Sequence, residues 1–243
     1  IAAVAVVGCG ATLQIVTAEG SGNVITREVS VEGFDKVRIQ SQFKARITKG
    51  DEYKVTVRVD DNLVQDLDIE ESGTRIVVVD KVVRNRTLDV RLRPERSYTL
   101  RNVTLEVDIV APEITEIDAG GASDVRLEGF SQREMTIKGS GAARVTGSVD
   151  VDELAIDASG ATKVRLAGAT DYLYLETSGA SNADLSALKA DYVDVDTSGA
   201  SRAHLNATQR IDAVASGASH VTYEGACRLG YSDASGVARI SRQ

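Results

Sequence analysis

The sequence predicts an all-β fold, a single-stranded β-solenoid with coils of about 19 residues. Three observations predict it. Glycines recur at Gly121, Gly141, Gly160, Gly179, Gly199, Gly217 and Gly236, at intervals of 20, 19, 19, 20, 18 and 19 residues. The copies share a short motif, seen most fully in Asp196-Thr197-Ser198-Gly199-Ala200-Ser201. The residues flanking each glycine alternate apolar and polar, the period of a strand with one buried face.

Composition fits a narrow sheet interior. Aromatic residues are only 4% of the 243 and Trp is absent, so Val, Ile, Leu and Ala are expected to build the core. A net charge of -8 argues against a general nucleic-acid binder, which needs a concentrated basic surface. Two cysteines far apart and two histidines leave no zinc or redox motif. By count alone, Cys9 and Cys227 could pair as a disulfide.

Taken in order, residues 1–9 are apolar or small and end in Val6-Val7-Gly8-Cys9. That pattern resembles the lipobox of bacterial lipoproteins, in which the cysteine becomes the lipidated N-terminus. It implies a membrane partner through a lipid anchor at Cys9 and an extracytoplasmic location, on the outer membrane or cell surface. The other reading is an ordinary apolar N-terminal strand. Residues 10–23 contain Gly20-Ser21-Gly22 and read as a tether.

Residues 24–243 read as one solenoid domain, less regular over 24–112 and regular over 113–243. Val37, Ile39 and Ser41 alternate with Lys36, Arg38 and Gln40; Val55, Val57 and Val59 with Lys54, Thr56 and Arg58. Gly50-Asp51 and Ser72-Gly73 supply turns. Lys81 to Arg101 is the most basic stretch, with Arg84, Arg86, Arg91, Arg93 and Arg96. An anion-contacting loop would use such charges; a solvated hairpin with charged edges is the favoured account.

In the regular part, aligning on the glycine exposes the core columns. Six residues before stand Met135, Leu154, Leu173, Val193 and Ile211, ending in Gly230; four before stand Ile117, Ile137, Ile156, Leu175, Val195 and Ala213, ending in Ser232. Four after stand Val125, Val145, Val164, Ala183, Ala203, Val221 and Ile240. Each coil is thus a strand, a Ser-Gly-Ala corner and a second strand. The glycine suits a positive φ. The alanine after it is expected inside, where only a small side chain fits, and the serines before it are expected to tie corner backbone groups.

Gly33-Phe34-Asp35, Ile47-Thr48-Lys49-Gly50-Asp51 and Asp60-Asp61-Asn62-Leu63, followed by the Ser-Gly-Ala-Ser repeats, resemble the putative auto-transporter adhesin, head GIN domain family. The resemblance implies a right-handed parallel β-helix on secreted or lipid-anchored bacterial proteins, and adhesion. No catalytic motif comes with it.

Function must lie on outward columns. Before the glycine these are mainly acidic, after it mainly basic. Asp157, Glu176 and Asp196 on successive coils, with Asp194 and Asp212 alongside, would repel by roughly 1 kcal/mol per pair in water and could hold Ca²⁺. No calcium-loop motif accompanies them, and solvated charge is the simpler account. Tyr172 and Tyr192 occupy equivalent positions on adjacent coils, with Tyr174 beside Asp194. Tyrosines bordered by carboxylates can hold a sugar, the ring stacking on its apolar face. The ligand-binding candidates are therefore Tyr172, Tyr174, Tyr192, Asp194 and Asp196.

The expected function is a non-catalytic adhesion or ligand-binding module, its partner a polysaccharide or surface protein. A polysaccharide lyase or hydrolase is the enzymatic alternative, disfavoured because short turns build no deep cleft. A self-assembling structural protein, joined through exposed coil edges, is the third.

Overall fold

Residues 2–6, 13–78, 81–93 and 96–243 are described by a computed structural model. Strands β1 (Ala2–Val6) and β2 (Leu13–Glu19) pair antiparallel, and β3 (Val24–Val29) follows. Strands β4 (Lys36–Ile39) and β5 (Lys44–Lys49) form the first coil. The chain then leaves the stack through β6 (Lys54–Asp60) and a 3-10 helix over Asp61–Asp66. It forms the hairpin β7 (Leu67–Val78) and β8 (Lys81–Leu92), then β9 (Arg96–Arg101), and returns along β10 (Leu105–Ala111).

The regular stack begins at β11 (Glu116–Ala119). Five long strands succeed it: β12 (Asp124–Gly139), β13 (Arg144–Ala158), β14 (Lys163–Thr177), β15 (Asn182–Thr197) and β16 (Arg202–Ala215). Three short ones finish it, β17 (His220–Glu224), β18 (Arg228–Ala234) and β19 (Arg239–Arg242). Each pairs in parallel with its successor one coil on, as in Leu154↔Leu173↔Val193↔Ile211. The predicted β-solenoid is the observed architecture, with seven Ser-Gly-Ala-type corners.

Burial confirms the core columns: Met135, Leu154, Leu173, Val193 and Ile211 are all 3% exposed or less, as are Ile137, Ile156, Leu175, Val195 and Ala213. In β13 the alternation breaks at 147–148 and again at 152–153, so each coil has a first face before the corner, a second face after it and a short third face. All three Phe residues, absent from the expected core, are fully buried toward the N-terminal half, Phe34 edge-on to Tyr53 at 4.9 Å.

The corner chemistry differs in part from expectation. Gly199 has φ +71, and a Cβ there would lie 2.6 Å from the carbonyl oxygen of Gly179 on the coil below, so glycine is required twice over. Ala200 is exposed rather than interior, because the residue after the glycine donates its N–H down the stack to Gly179 and turns its side chain out. The buried hydroxyls are not those of Ser198 and its equivalents but of the residues two positions either side of the glycine. Ser201 donates to the Ser198 carbonyl at 2.8 Å, and Thr177 donates to Ser201 at 3.0 Å. Ser219 and Thr197 repeat the arrangement one coil on. This polar seam ties each corner from within.

The less regular region contains one more coil. Ser41 has φ +65 and stands in register with Gly121, one rung before the first repeated glycine. It is therefore a turn residue, not part of a strand. Its hydroxyl accepts the N–H of Leu92 at 3.2 Å. Ser72-Gly73, expected as a turn, lies within β7 opposite Thr87 and Arg86. Beyond this coil the sheets change sense. Strands β8 and β10 still run parallel to β4 and β5, but β7, β6 and β3 add antiparallel and close the end.

Residues 10–23 are not a free tether over their described part. Strand β2 pairs parallel with β9, and Ala18 is buried. Asp60, 1% exposed, accepts N–H bonds from Gly22 at 2.9 Å and Thr104 at 2.6 Å, while Asp61 accepts from Ser21 and Asn23. The Asp60-Asp61-Asn62 motif is thus a clamp on this segment. Cys9 lies outside the described residues. Cys227 is a buried free thiol. At the other end β18 is exposed throughout, including Gly230 and Ser232, so the last coil leaves Leu229 and Tyr231 open to solvent.

Candidate functional site

On the first face, the residues seven, five and three before each glycine point outward because those six, four and two before it point into the core. Strand pairing sets their order along the stack. The column seven before runs Glu153, Tyr172, Tyr192, Arg210; the column five before runs Ala155, Tyr174, Asp194, Asp212. Two tyrosines thus fall on consecutive rungs at strand spacing. Their rings stack, with centroids 5.1 Å apart and planes 15° from parallel. Tyr172 and Tyr192 are each 43% exposed and Tyr174 49%, large for apolar bodies on a flat sheet.

A shallow depression of about 150 Å³ opens among Tyr172, Tyr174, Tyr192, Asp194, Arg210 and Asp212. The structure brings together four of the five candidates from the sequence. Asp196 is the one left out: it lies in the next column, between Glu176 and Val214.

Arg210 was not singled out from sequence, and Asp212 only as a calcium ligand. Their signal was the column, since they stand one rung on from Tyr192 and Asp194. Arg210 donates from both Nε and a terminal nitrogen to Asp212, at 3.1 and 2.9 Å, a fork that fixes both side chains. The Arg210 hydrogen bond holds the Asp212 carboxyl below its usual range, and Asp212 in turn raises the guanidinium. Asp212 also accepts the backbone N–H of Tyr231. Gly230 explains itself here. A Cβ at that position would sit 2.1 Å from Asp212 Oδ1 and 2.5 Å from Arg210 Nε, so the glycine leaves room for the pair.

The acidic column is confirmed in register as Asp157↔Glu176↔Asp196. Toward the N-terminal end carboxylates are matched by bases: Asp118 by Arg38 at 2.8 Å, Glu116 by Lys138 at 2.9 Å and Lys36 at 3.4 Å. Among the described residues no group of three or more His, Cys, Asp or Glu converges enough to hold a metal ion. One carboxyl among the described residues is pushed above its usual range, Asp89, by burial, against the pull of Arg91 and Arg38. It sits in an ion-pair network with Arg91 at 2.9 Å on the β7–β8 hairpin, away from the tyrosines. The same hairpin absorbs Arg91 into pairs with Asp68 and Glu70, as a charged edge would.

Among solved structures, a putative adhesin from Bacteroides fragilis superposes with a TM-score of 0.79 at 21% identity, covering 93% of this chain and 100% of its own. A protein from Parabacteroides distasonis titled a putative lipid binding protein gives 0.70 at 19%, with 93% and 99% covered. A putative adhesin from Parabacteroides merdae gives 0.69 at 14%, again with 93% and 99% covered. These likenesses establish the shared fold. A search of the curated proteins returns no match. The profile described as "Putative auto-transporter adhesin, head GIN domain" matches residues 33–227, and the chain belongs to that family.

Proposed function

We propose that the protein is a non-catalytic adhesion module of the cell envelope that binds a saccharide on the Tyr172–Tyr192 platform. The observation that carries this reading is the stacked, half-exposed tyrosine pair with charged hydrogen-bonding groups along one side. Tyrosine rings offer an apolar surface to the C–H face of a pyranose, while Asp194 accepts from hydroxyls and Arg210, already oriented by Asp212, donates to them. The depression is about 150 Å³, well below the ~300–1,000 Å³ of an enclosing ligand pocket. It suits one or two sugar rings laid on a surface, not a substrate enclosed for chemistry.

The same geometry argues against a glycosidase here. Such an enzyme needs a carboxyl with a raised pKa to donate a proton. Asp212 is held low instead, and Asp89 lies elsewhere. The family's adhesin description and the lipobox-like Val6-Val7-Gly8-Cys9 support a surface location, with Cys9 as the lipid attachment site.

A glycan array probed with the wild-type protein and with Tyr172→Ala and Tyr192→Ala tests the platform. Selective glycan binding lost in both variants is expected; binding unchanged in both would refute the site. Labelling with a palmitate analogue in a bacterial host, abolished by Cys9→Ala, tests the anchor.

A further inference from the structure

The second face carries a different surface, on the far side of the Ser-Gly-Ala corner from the tyrosines. From Gly141 onward, three residues after each glycine, the outward column reads Arg144, Lys163, Asn182, Arg202, His220 and Arg239, on six consecutive rungs; the rung before them, after Gly121, is Asp124. All six are exposed and none is a carboxylate. At about 4.8 Å per rung the column is roughly 24 Å long. In a protein of net charge -8 such a file is not a by-product of general basicity.

Ion pairing leaves much of its charge free. Arg144 reaches Asp124 at 3.6 Å, but among the described residues no ion pair engages Lys163, Arg202 or Arg239. The adjacent column, five residues after the glycine, is largely neutralised. There Arg165 binds Asp184 at 2.6 Å, and Asp184 also faces His204 at 4.0 Å. Open depressions of about 260 and 300 Å³ flank the free column, one against Arg144, Lys163 and Asn182, the other against Asn182, Arg202 and His220, with Asp184, paired to Arg165, on the wall of both.

We infer that this column is a second binding site, for a linear anionic polysaccharide laid along the stacking axis. A single file of donors one rung apart matches a chain whose carboxylate or sulfate groups recur along its length. Asn182 and His220, between the cations, supply neutral polar contacts for hydroxyls. A flat anionic bilayer fits less well, because it must lie on several columns at once, whereas the free cations stand in one. Duplex DNA winds its phosphates round the helix axis, so a straight single file of donors meets few of them at once. The acidic ladder of a second copy has the same rung spacing, but it offers Asp157, Glu176 and Asp196 on three rungs, ended by Lys138 and Val214.

Titration of polygalacturonate, heparin, neutral dextran and duplex DNA against the full chain tests this site, at about 50 and about 200 mM salt. Both polysaccharide polyanions are expected to bind, dextran and DNA not, with affinity falling as salt rises. Lys163→Gln with Arg202→Gln should weaken binding by roughly tenfold or more at low salt. Arg133→Gln with Lys189→Gln, an equal loss of charge at exposed positions off the column, should change it less than about twofold. The Tyr172→Ala, Tyr192→Ala double variant should bind polyanions as the wild type does, which separates this site from the tyrosine platform. Equal losses in the two charge variants, no binding of either polysaccharide polyanion, or equally tight binding of DNA would each overturn the inference. So would self-association abolished by Lys163→Gln with Arg202→Gln, since the column would then be filled by a second copy.

Discussion

The repeated corner is where single residues decide most. Gly199→Ala combines a left-handed φ with a Cβ 2.6 Å from the Gly179 carbonyl, so it should cost more than the ~1 kcal/mol of an unhindered glycine replacement. Urea unfolding would measure it. The sequence shows such glycines plainly, because a backbone need at a fixed period leaves a visible column. It does not show which flanking serine is buried, since Ser198 and Ser201 look alike in a list. Only the turn geometry puts Ser201 inside, hydrogen bonded to Ser198 and Thr177, and leaves Ser198 half-exposed. Ser201→Ala should therefore cost about 1–2 kcal/mol, and Ser198→Ala less than about 0.5 kcal/mol. Position 41 escaped notice for a physical reason too. As the first corner it has no glycine carbonyl beneath it, so a serine serves, and the glycine column begins one coil late.

Elements are held by pairing along the stack and by a few clamps across it. Strand β2 and the segment to Asn23 are fastened through Asp60 and Asp61, a role no periodicity announces because it joins residues some 40 apart in sequence. Asp60→Ala would remove the shared acceptor of the Gly22 and Thr104 N–H groups. Early deuteration or proteolysis of residues 17–23 is the expected result, with the coils from β12 to β16 still protected. Cross-rung ion pairs give a weaker, pH-dependent support. The Arg165 guanidinium holds Asp184 below the usual carboxylate range, so the pair's contribution is complete above about pH 4 and is lost as pH falls through the lowered value. The Arg165 side chain is 75% exposed and that of Asp184 30%, and solvent screening limits the contribution to about 1 kcal/mol or less. Asp184→Asn should therefore flatten the acid limb of the stability curve below about pH 4 without altering stability at pH 7 by more than that.

At the scale of the whole molecule, a stack in which each coil pairs with its neighbours is expected to hold without a metal. Chelation by EDTA should leave the melting temperature unchanged and added Ca²⁺ should not raise it, as read by circular dichroism; a calcium-dependent rise of several degrees would show that Asp157, Glu176 and Asp196 recruit an ion after all. The stack was legible in the sequence and its closed end was not. Columns of like residues report parallel rungs, whereas the antiparallel cap of β3, β6 and β7 breaks the period. The candidate site was half legible: Tyr172 and Tyr192 stand out as aromatics in a chain with few, but Arg210 is one arginine among many until the register sets it against Tyr192. The central claim, that this solenoid displays a saccharide platform on its first face, is tested most directly by mapping backbone NMR shifts during titration with a glycan that the protein retains. Shifts concentrated at Tyr172 to Tyr174, Tyr192 to Asp194 and Arg210 to Asp212 are predicted, and shifts concentrated elsewhere with these residues silent would contradict it.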